Sequence, residues 1–168
     1  MQVLTVYSKP KSKFVPLSWF IRAFECSRFS HVAVIMHFES FNKLAVFEAS
    51  GTKVKFVNYI DWTDNNEIVH VYLHKINKPA WLKLANFCFD NVGKNYGIKQ
   101  IVGMAYARIF KKKNPWADGK KSYVCSELVG HILKDVLGED IDLDKLEYEG
   151  PKYLQQLEAK IEERRSKA

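Results

Sequence analysis

The sequence predicts an α+β domain in which an antiparallel sheet of about four to five strands packs against helices. Three observations carry this reading. Short segments of alternating or wholly apolar residues, joined by hairpin-length turns, fill the first half of the chain. Apolar stripes at helical spacing fill most of the second half. At 168 residues, with 47% hydrophobic and 14% aromatic content, the chain can bury one real core. A single domain over 1–168 is expected, because no repeat, low-complexity tract or linker divides it.

Residues 2–7 read as a buried strand, and Lys9 to Lys13, with Pro10, as a basic loop. Val15 to Glu25 reads as a short helix carrying Trp19, Phe20, Ile21 and Phe24, with Pro16 suited to its first turn. His31 to His37 is the most apolar strand, and Lys43 to Ala49 is its hairpin partner. Lys53 to Asn58 alternates as a third strand; Asp64 to Asn66 is a turn; Glu67 to His74 is a fourth strand. His70 and His74 are expected on that strand's outer face with Tyr72 and Ile68.

Trp81, Leu84, Ala85, Cys88, Phe89 and Val92 form a helical stripe that Gly93 ends. Ile98 to Phe110 is a further helix, and Lys111 to Lys121 a basic loop with Pro115 and Gly119. A helix containing Cys125 runs to about Gly138, and Pro151 opens the last helix.

The net charge of +7 points to an anionic partner or surface, or to a merely solvated basic face. Three cysteines without a CxxC argue against a disulfide framework and for a reducing compartment. The first residues read as a strand and lack the basic and longer apolar regions of a signal peptide. No apolar run approaches the roughly 20 residues of a transmembrane helix. A cytoplasmic location is therefore expected. No His/Cys/Asp cluster has zinc spacing, and His70 and His74 lie about 13 Å apart along a strand, so neither a metal nor a cofactor is expected.

Cys125 lies in Ser-Tyr-Val-Cys-Ser-Glu-Leu-Val (122–129), which reads as a helix start. Leu128, Val129, Ile132, Leu133 and Val136 follow at helical spacing, with Ser122 as the expected N-cap. First-turn N–H groups are unpaired and favour negative charge, and the thiolate is the nucleophilic form of cysteine. Cys88, mid-stripe in its helix, reads as core.

A nucleophilic thiol needs a base, and the base an orienting group. His31, behind Ser30 at a strand start, combines a sheet rim with a nearby acid, Glu48. In a hairpin, Glu48 falls opposite or diagonal to His31, about 5–8 Å away between Cβ atoms, whereas a one-residue slip would send it to the other face. Glu48 among Val46, Phe47 and Ala49 needs a partner. His31 is one candidate; surface lysines such as Lys43 or Lys53 are the alternative.

Ser30-His31-Val32-Ala33-Val34, Phe47-Glu48-Ala49 and Tyr123-Val124-Cys125-Ser126-Glu127-Leu128-Val129, in this order, resemble the circularly permuted papain-like (NlpC/P60-type) cysteine peptidases and amidases. The YiiX/YaeF-like branch is the nearest likeness. The helix at 15–25, Tyr96-Gly97 and Gly150-Pro151 with a closing helix add to it. The resemblance implies a permuted papain-like fold and a Cys–His–Glu site: Cys125 as nucleophile, His31 as base and acid, Glu48 as orienter. It implies hydrolysis of an amide through an acyl-enzyme. The backbone N–H of Cys125 and a polar neighbour would hold the oxyanion, and Tyr7, Tyr123 and Tyr96 are the candidates to line that side.

The implied substrate is a peptide, a peptidoglycan fragment or an amidated lipid. The same fold also serves lipid or acyl-ester hydrolysis and acyl transfer. The lecithin retinol acyltransferase-like branch usually has a second histidine where this chain has Glu48, which favours the peptidase and amidase side. A Gly-Asp before the first strand is missing, and the lysine-rich segment has no counterpart in the family. Lys111, Lys112, Lys113, Lys120 and Lys121 would form a positive rim for an anionic substrate. In a non-catalytic binding module, the same lysines would line a basic cleft. No nucleic-acid motif is present, so the reading is against nucleic acid. Trp116 and Tyr106 are the residues that could stack on bases.

Overall fold

The computed structural model describes residues 1–110, 112, 114–116, 121–146 and 149–167. These residues form a mixed α+β fold, built on one seven-stranded sheet in the order β5-β1-β2-β3-β4-β6-β7. The strands are β1 (Gln2–Pro10), β2 (His31–Phe38), β3 (Lys43–Ser50), β4 (Lys53–Asn58), β5 (Asn66–Lys75), β6 (Asn95–Tyr96) and β7 (Ser122–Tyr123). All pairings are antiparallel except that of β6 with β7. The helices are α1 (Pro16–Glu25), α2 (Tyr59–Asn65), α3 (Lys78–Asn91), α4 (Ile98–Phe110), α5 (Cys125–His131), α6 (Leu143–Leu146) and α7 (Pro151–Ser166). A π-turn over Ile132–Val136 extends α5. Among the described residues, no helix is long and apolar enough to cross a membrane.

The sheet is buried on both faces at its centre, which is why β2 is a nearly continuous apolar run. Val32, Val34, Met36 and Phe47 face the larger core, with Leu84 and Cys88 of α3, Leu128 and Val129 of α5, and Leu154 and Ile161 of α7. Ala33, Ile35, Val46 and Val6 face the opposite way, onto Trp62 of α2. Cys88 is fully buried, and burial pushes its thiol up to about 12, as fits a core thiol.

Several local expectations are corrected. The sheet has more strands than expected because β6 and β7, of two residues each, are too short to show a period. The segment before β5 is a helix rather than only a turn: Asn58 Oδ1 caps it by accepting the Ile60 N–H at 2.9 Å. Seven residues are too few for a helical period to stand out. The basic loop starts later than expected, because Lys9 and Pro10 still pair with Glu67 and Asn66 of β5. In α3 the inner face is Leu84 and Cys88, and Phe89 lies exposed. Tyr72 and His74 are not on an outer face. Both are buried against α7, where His74 Nε2 meets Glu158 Oε1 at 3.0 Å and Thr5 Oγ1 at 3.1 Å.

Candidate active site

Cys125 opens α5 with its side chain toward the sheet, and it is 3% exposed. The residue in the N-cap position is Val124, not Ser122, which lies buried in β7. Valine has no capping oxygen. Glu127 instead reaches back, and its Oε2 accepts the Val124 N–H at 3.2 Å. The π-turn lengthens the helical segment behind the thiol, and α5 packs against β2 and β3. These contacts hold Cys125 against β2 and β3.

His31 opens β2 on the neighbouring strand end. Its position is held by Ser8 of β1, which pairs with it, and by Ser30, whose hydroxyl bonds that of Ser18 in α1 at 2.6 Å. The hairpin register puts Val34 opposite Phe47, so Glu48 lies on the diagonal of His31 and on the same face. His31 Nε2 and Glu48 Oε2 are 2.7 Å apart. A side-chain hydrogen bond also links His31 to Cys125, leaving Nδ1 as the imidazole nitrogen for the thiol. His31 thus bridges Cys125 and Glu48.

The electrostatics follow from this chain of contacts. Burial alone would lower the His31 pKa. The hydrogen bonds to Cys125 and Glu48, and the charges of both, outweigh burial and push it up to about 10. For Glu48, burial works toward protonation. The hydrogen bond and charge of His31, with hydrogen bonds from Ser50 and Trp62, outweigh it and hold the carboxyl at about 2. Both shifts run in the direction that favours an imidazolium facing a carboxylate.

Two partners of Glu48 escaped the sequence reading. Trp62 Nε1 donates to Oε2 at 2.8 Å, and the Ser50 hydroxyl donates to Oε1. The available signal was the cost of burying a carboxylate and an indole N–H without partners, both of which this bond removes. Of the lysines, Lys55 approaches Glu48 Oε1 at 3.7 Å, rather than Lys43 or Lys53.

The three tyrosines separate. Tyr96 lies in the groove lining with Cys125. Burial first, then the charges of Cys125 and Glu48, push its hydroxyl well above the usual tyrosine value. Tyr7 is close enough to feel the charge of Cys125, but its hydroxyl donates to Glu158, so it is not free to hold an oxyanion. Tyr123 is turned elsewhere, with its ring against His131 at 5.7 Å and Lys94 Nζ over it at 5.3 Å. Lys112 and Lys121 are exposed and are not among the groove-lining residues. Lys111, Lys113 and Lys120 lie outside the described residues.

Beside Cys125 runs a groove with about 430 Å³ of empty space, its open mouth included. Phe20, Ile21 and Phe24 of α1 and Ile101, Met104 and Ala105 of α4 form its apolar walls. Glu25, Arg108 and Ser126 are the polar side chains of the lining besides Tyr96.

No protein-family model matches the chain, and no curated protein matches it in sequence. Among solved structures, the fold is similar to that of the metalloprotein yiiX from Escherichia coli O157:H7. The two share 19% sequence identity at a TM-score of 0.58, over 83% of this chain and 67% of that one. The likeness shows the fold alone. "Metalloprotein" describes that protein; in this chain, no group of three or more His, Cys, Asp or Glu side chains among the described residues converges as a metal set. His31 sits between Cys125 and Glu48, so these donors face each other rather than a common point.

Proposed function

We propose that this protein is a cysteine hydrolase of the permuted papain-like type, cleaving an amide bond through an acyl-enzyme. The observation that carries the proposal is the placement of His31, hydrogen-bonded to both Cys125 and Glu48. That is the connectivity of a nucleophile, a base and an orienting group. A peptide, a peptidoglycan fragment or an amidated lipid is the substrate class the reading allows.

In this mechanism His31 takes the Cys125 proton or holds the thiolate as an ion pair. The sulfur attacks the carbonyl, and His31 gives its proton to the leaving amine. Water, deprotonated by His31, then clears the acyl-enzyme. Glu48 keeps the imidazole oriented throughout, and Trp62 and Ser50 keep Glu48 in place. The backbone N–H of Cys125 in the first turn is the main oxyanion donor, and Tyr96, which lines the same groove, is the candidate for the second.

The test is the pH dependence of alkylation at Cys125, mapped by mass spectrometry in wild type, His31→Ala and Glu48→Ala. Fast alkylation persisting to acid pH in wild type, and moving to higher pH in His31→Ala, supports the ion pair. A thiol as slow as Cys88 and indifferent to His31 overturns the proposal.

A further inference from the structure

We infer that the exposed faces of α1 and α4 dock the protein onto the surface of an anionic bilayer. Docking there needs nothing of the chemistry at Cys125.

The first observation is that α4 is apolar on both sides. Ile101 and Met104 of its inner face pack with Leu17 and Ile21 of α1 and with Val124. On the other side, Ile98, Val102, Tyr106 and Ile109 recur at i, i+4, i+8 and i+11, so they share one face. Val102 is 54% exposed and Ile109 66%, and the Tyr106 ring leans on the exposed Phe110 at 4.7 Å. A surface helix ordinarily keeps polar residues outward, and a contiguous apolar stripe left in water marks a face with a further contact to make. Alongside runs α1, with Arg108 of α4 over its Phe24 ring at 5.3 Å. Trp19 of α1 is 67% exposed and adds an amphipathic ring of the kind enriched where lipid meets water.

The second observation is the charge around these helices. Neither residues 9–24 nor residues 91–117 contain an Asp or a Glu. The acids that meet these segments are committed. Glu25 is buried and accepts the Lys152 N–H, Glu149 pairs with Arg108 at 3.5 Å, and Glu67 pairs with Lys9 at 3.1 Å. Lys11, Lys13, Lys99 and Lys112 are exposed and, among the described residues, unpaired.

A face that is apolar, basic and free of acids is complementary to anionic headgroups. The lysines meet the negative surface while the apolar side chains enter the headgroup boundary. A second copy of the chain fits less well, because in a two-fold dimer the patch meets itself and sets those lysines against one another. With 13 residues α4 is too short to span a bilayer, so the contact is peripheral.

The experiment is cosedimentation of the full chain with vesicles of phosphatidylcholine alone and of an equal mixture with phosphatidylglycerol. Binding is expected to the mixed vesicles, weakening as salt rises, and not to phosphatidylcholine alone. The double variant Val102→Gln with Ile109→Gln removes apolar contact and keeps the charge. Lys99→Gln with Lys112→Gln does the reverse. Each pair should lower partitioning by about tenfold or more, while Cys125 alkylation stays at the wild-type rate. Leu82→Gln with Phe89→Gln, at comparably exposed apolar positions on α3, should leave partitioning unchanged. Absence of binding to the mixed vesicles overturns the inference. So does binding that survives either pair, or that falls equally with the α3 pair. A concentration-dependent dimer on sizing chromatography that Val102→Gln with Ile109→Gln abolishes would overturn it in favour of a contact between copies.

Discussion

Trp62, on α2, donates its indole N–H to Oε2 of Glu48 at 2.8 Å, the same oxygen that meets His31 Nε2 at 2.7 Å. One carboxylate oxygen thus ties a helix on one face of the sheet to the bridging histidine at its rim. Trp62 is 2% exposed and packs on Val6, Ala33, Ile35 and Val46, so the indole cannot swing away without opening that core. The orientation of His31 is therefore set by the packing of α2 as well as by Glu48.

Trp62→Phe should keep the fold and loosen the site. The ring fills the same space, but Glu48 loses one donor while remaining buried. The expected loss is about 1–3 kcal/mol. Chemical denaturation measures it, and alkylation of Cys125 should at the same time become less sensitive to Glu48. An unchanged midpoint would mean that the indole contributes packing alone.

Glu48→Gln should cost about 3 kcal/mol near pH 5–6, as breaking a buried pair does. The pH dependence has a definite sign. The Glu48 carboxyl, lowered from 4.5 to about 2, gives stability that is present above pH 4.5 and lost as pH falls through 2. The His31 imidazole, raised from 6.5 to about 10, gives stability that is full below pH 6.5 and lost as pH rises through 10. The difference between wild type and Glu48→Gln should peak between these limits and shrink toward either extreme. A difference that stays flat from pH 2 to 10, by thermal or urea unfolding, would show that no ion pair forms.

Gly150→Ala should destabilise the start of α7. A Cβ there would overlap Glu25 Oε1, the carboxylate that receives the Lys152 N–H. Overpacking of this kind costs about 1–3 kcal/mol. The double variant with Glu25→Ala should recover part of it, because the two side chains claim one space. Additive losses in a thermal-melt cycle would contradict that.

In the native protein, Cys26 should be alkylated readily, being exposed, and Cys88 only after unfolding, since burial holds its thiol at about 12. Peptide mapping after timed labelling distinguishes the three thiols. Labelling of Cys88 as fast as Cys26 would mean that α3 opens easily.

Much of this was legible in the chain because it depends on local pattern. The run from His31 to His37 read as a buried strand because it is short, rich in β-branched Val and Ile, and followed by a hairpin-length turn. Ile98 to Phe110 and the Pro151 helix were set by period and by proline at a first turn. The pairing of His31 with Glu48 was legible as one of a few registers, because both lie in a hairpin whose turn is short. Trp62 was not. It comes from a seven-residue helix with no resolvable period, fourteen residues beyond Glu48, and only the folding of α2 onto the far face of the sheet brings them together.

By itself, then, the sequence determined the alternation of strands and helices, the buried central strand and the chain order of histidine, glutamate and cysteine. These follow from side-chain period and turn chemistry, which act within a few residues. Tertiary structure alone decided that His31 bridges Cys125 and Glu48, that Tyr7 is committed to Glu158 while Tyr96 stays in the groove, and that α1 and α4 wall the thiol with hydrocarbon. Those outcomes depend on register and on close packing between segments distant in the chain, which no local preference specifies.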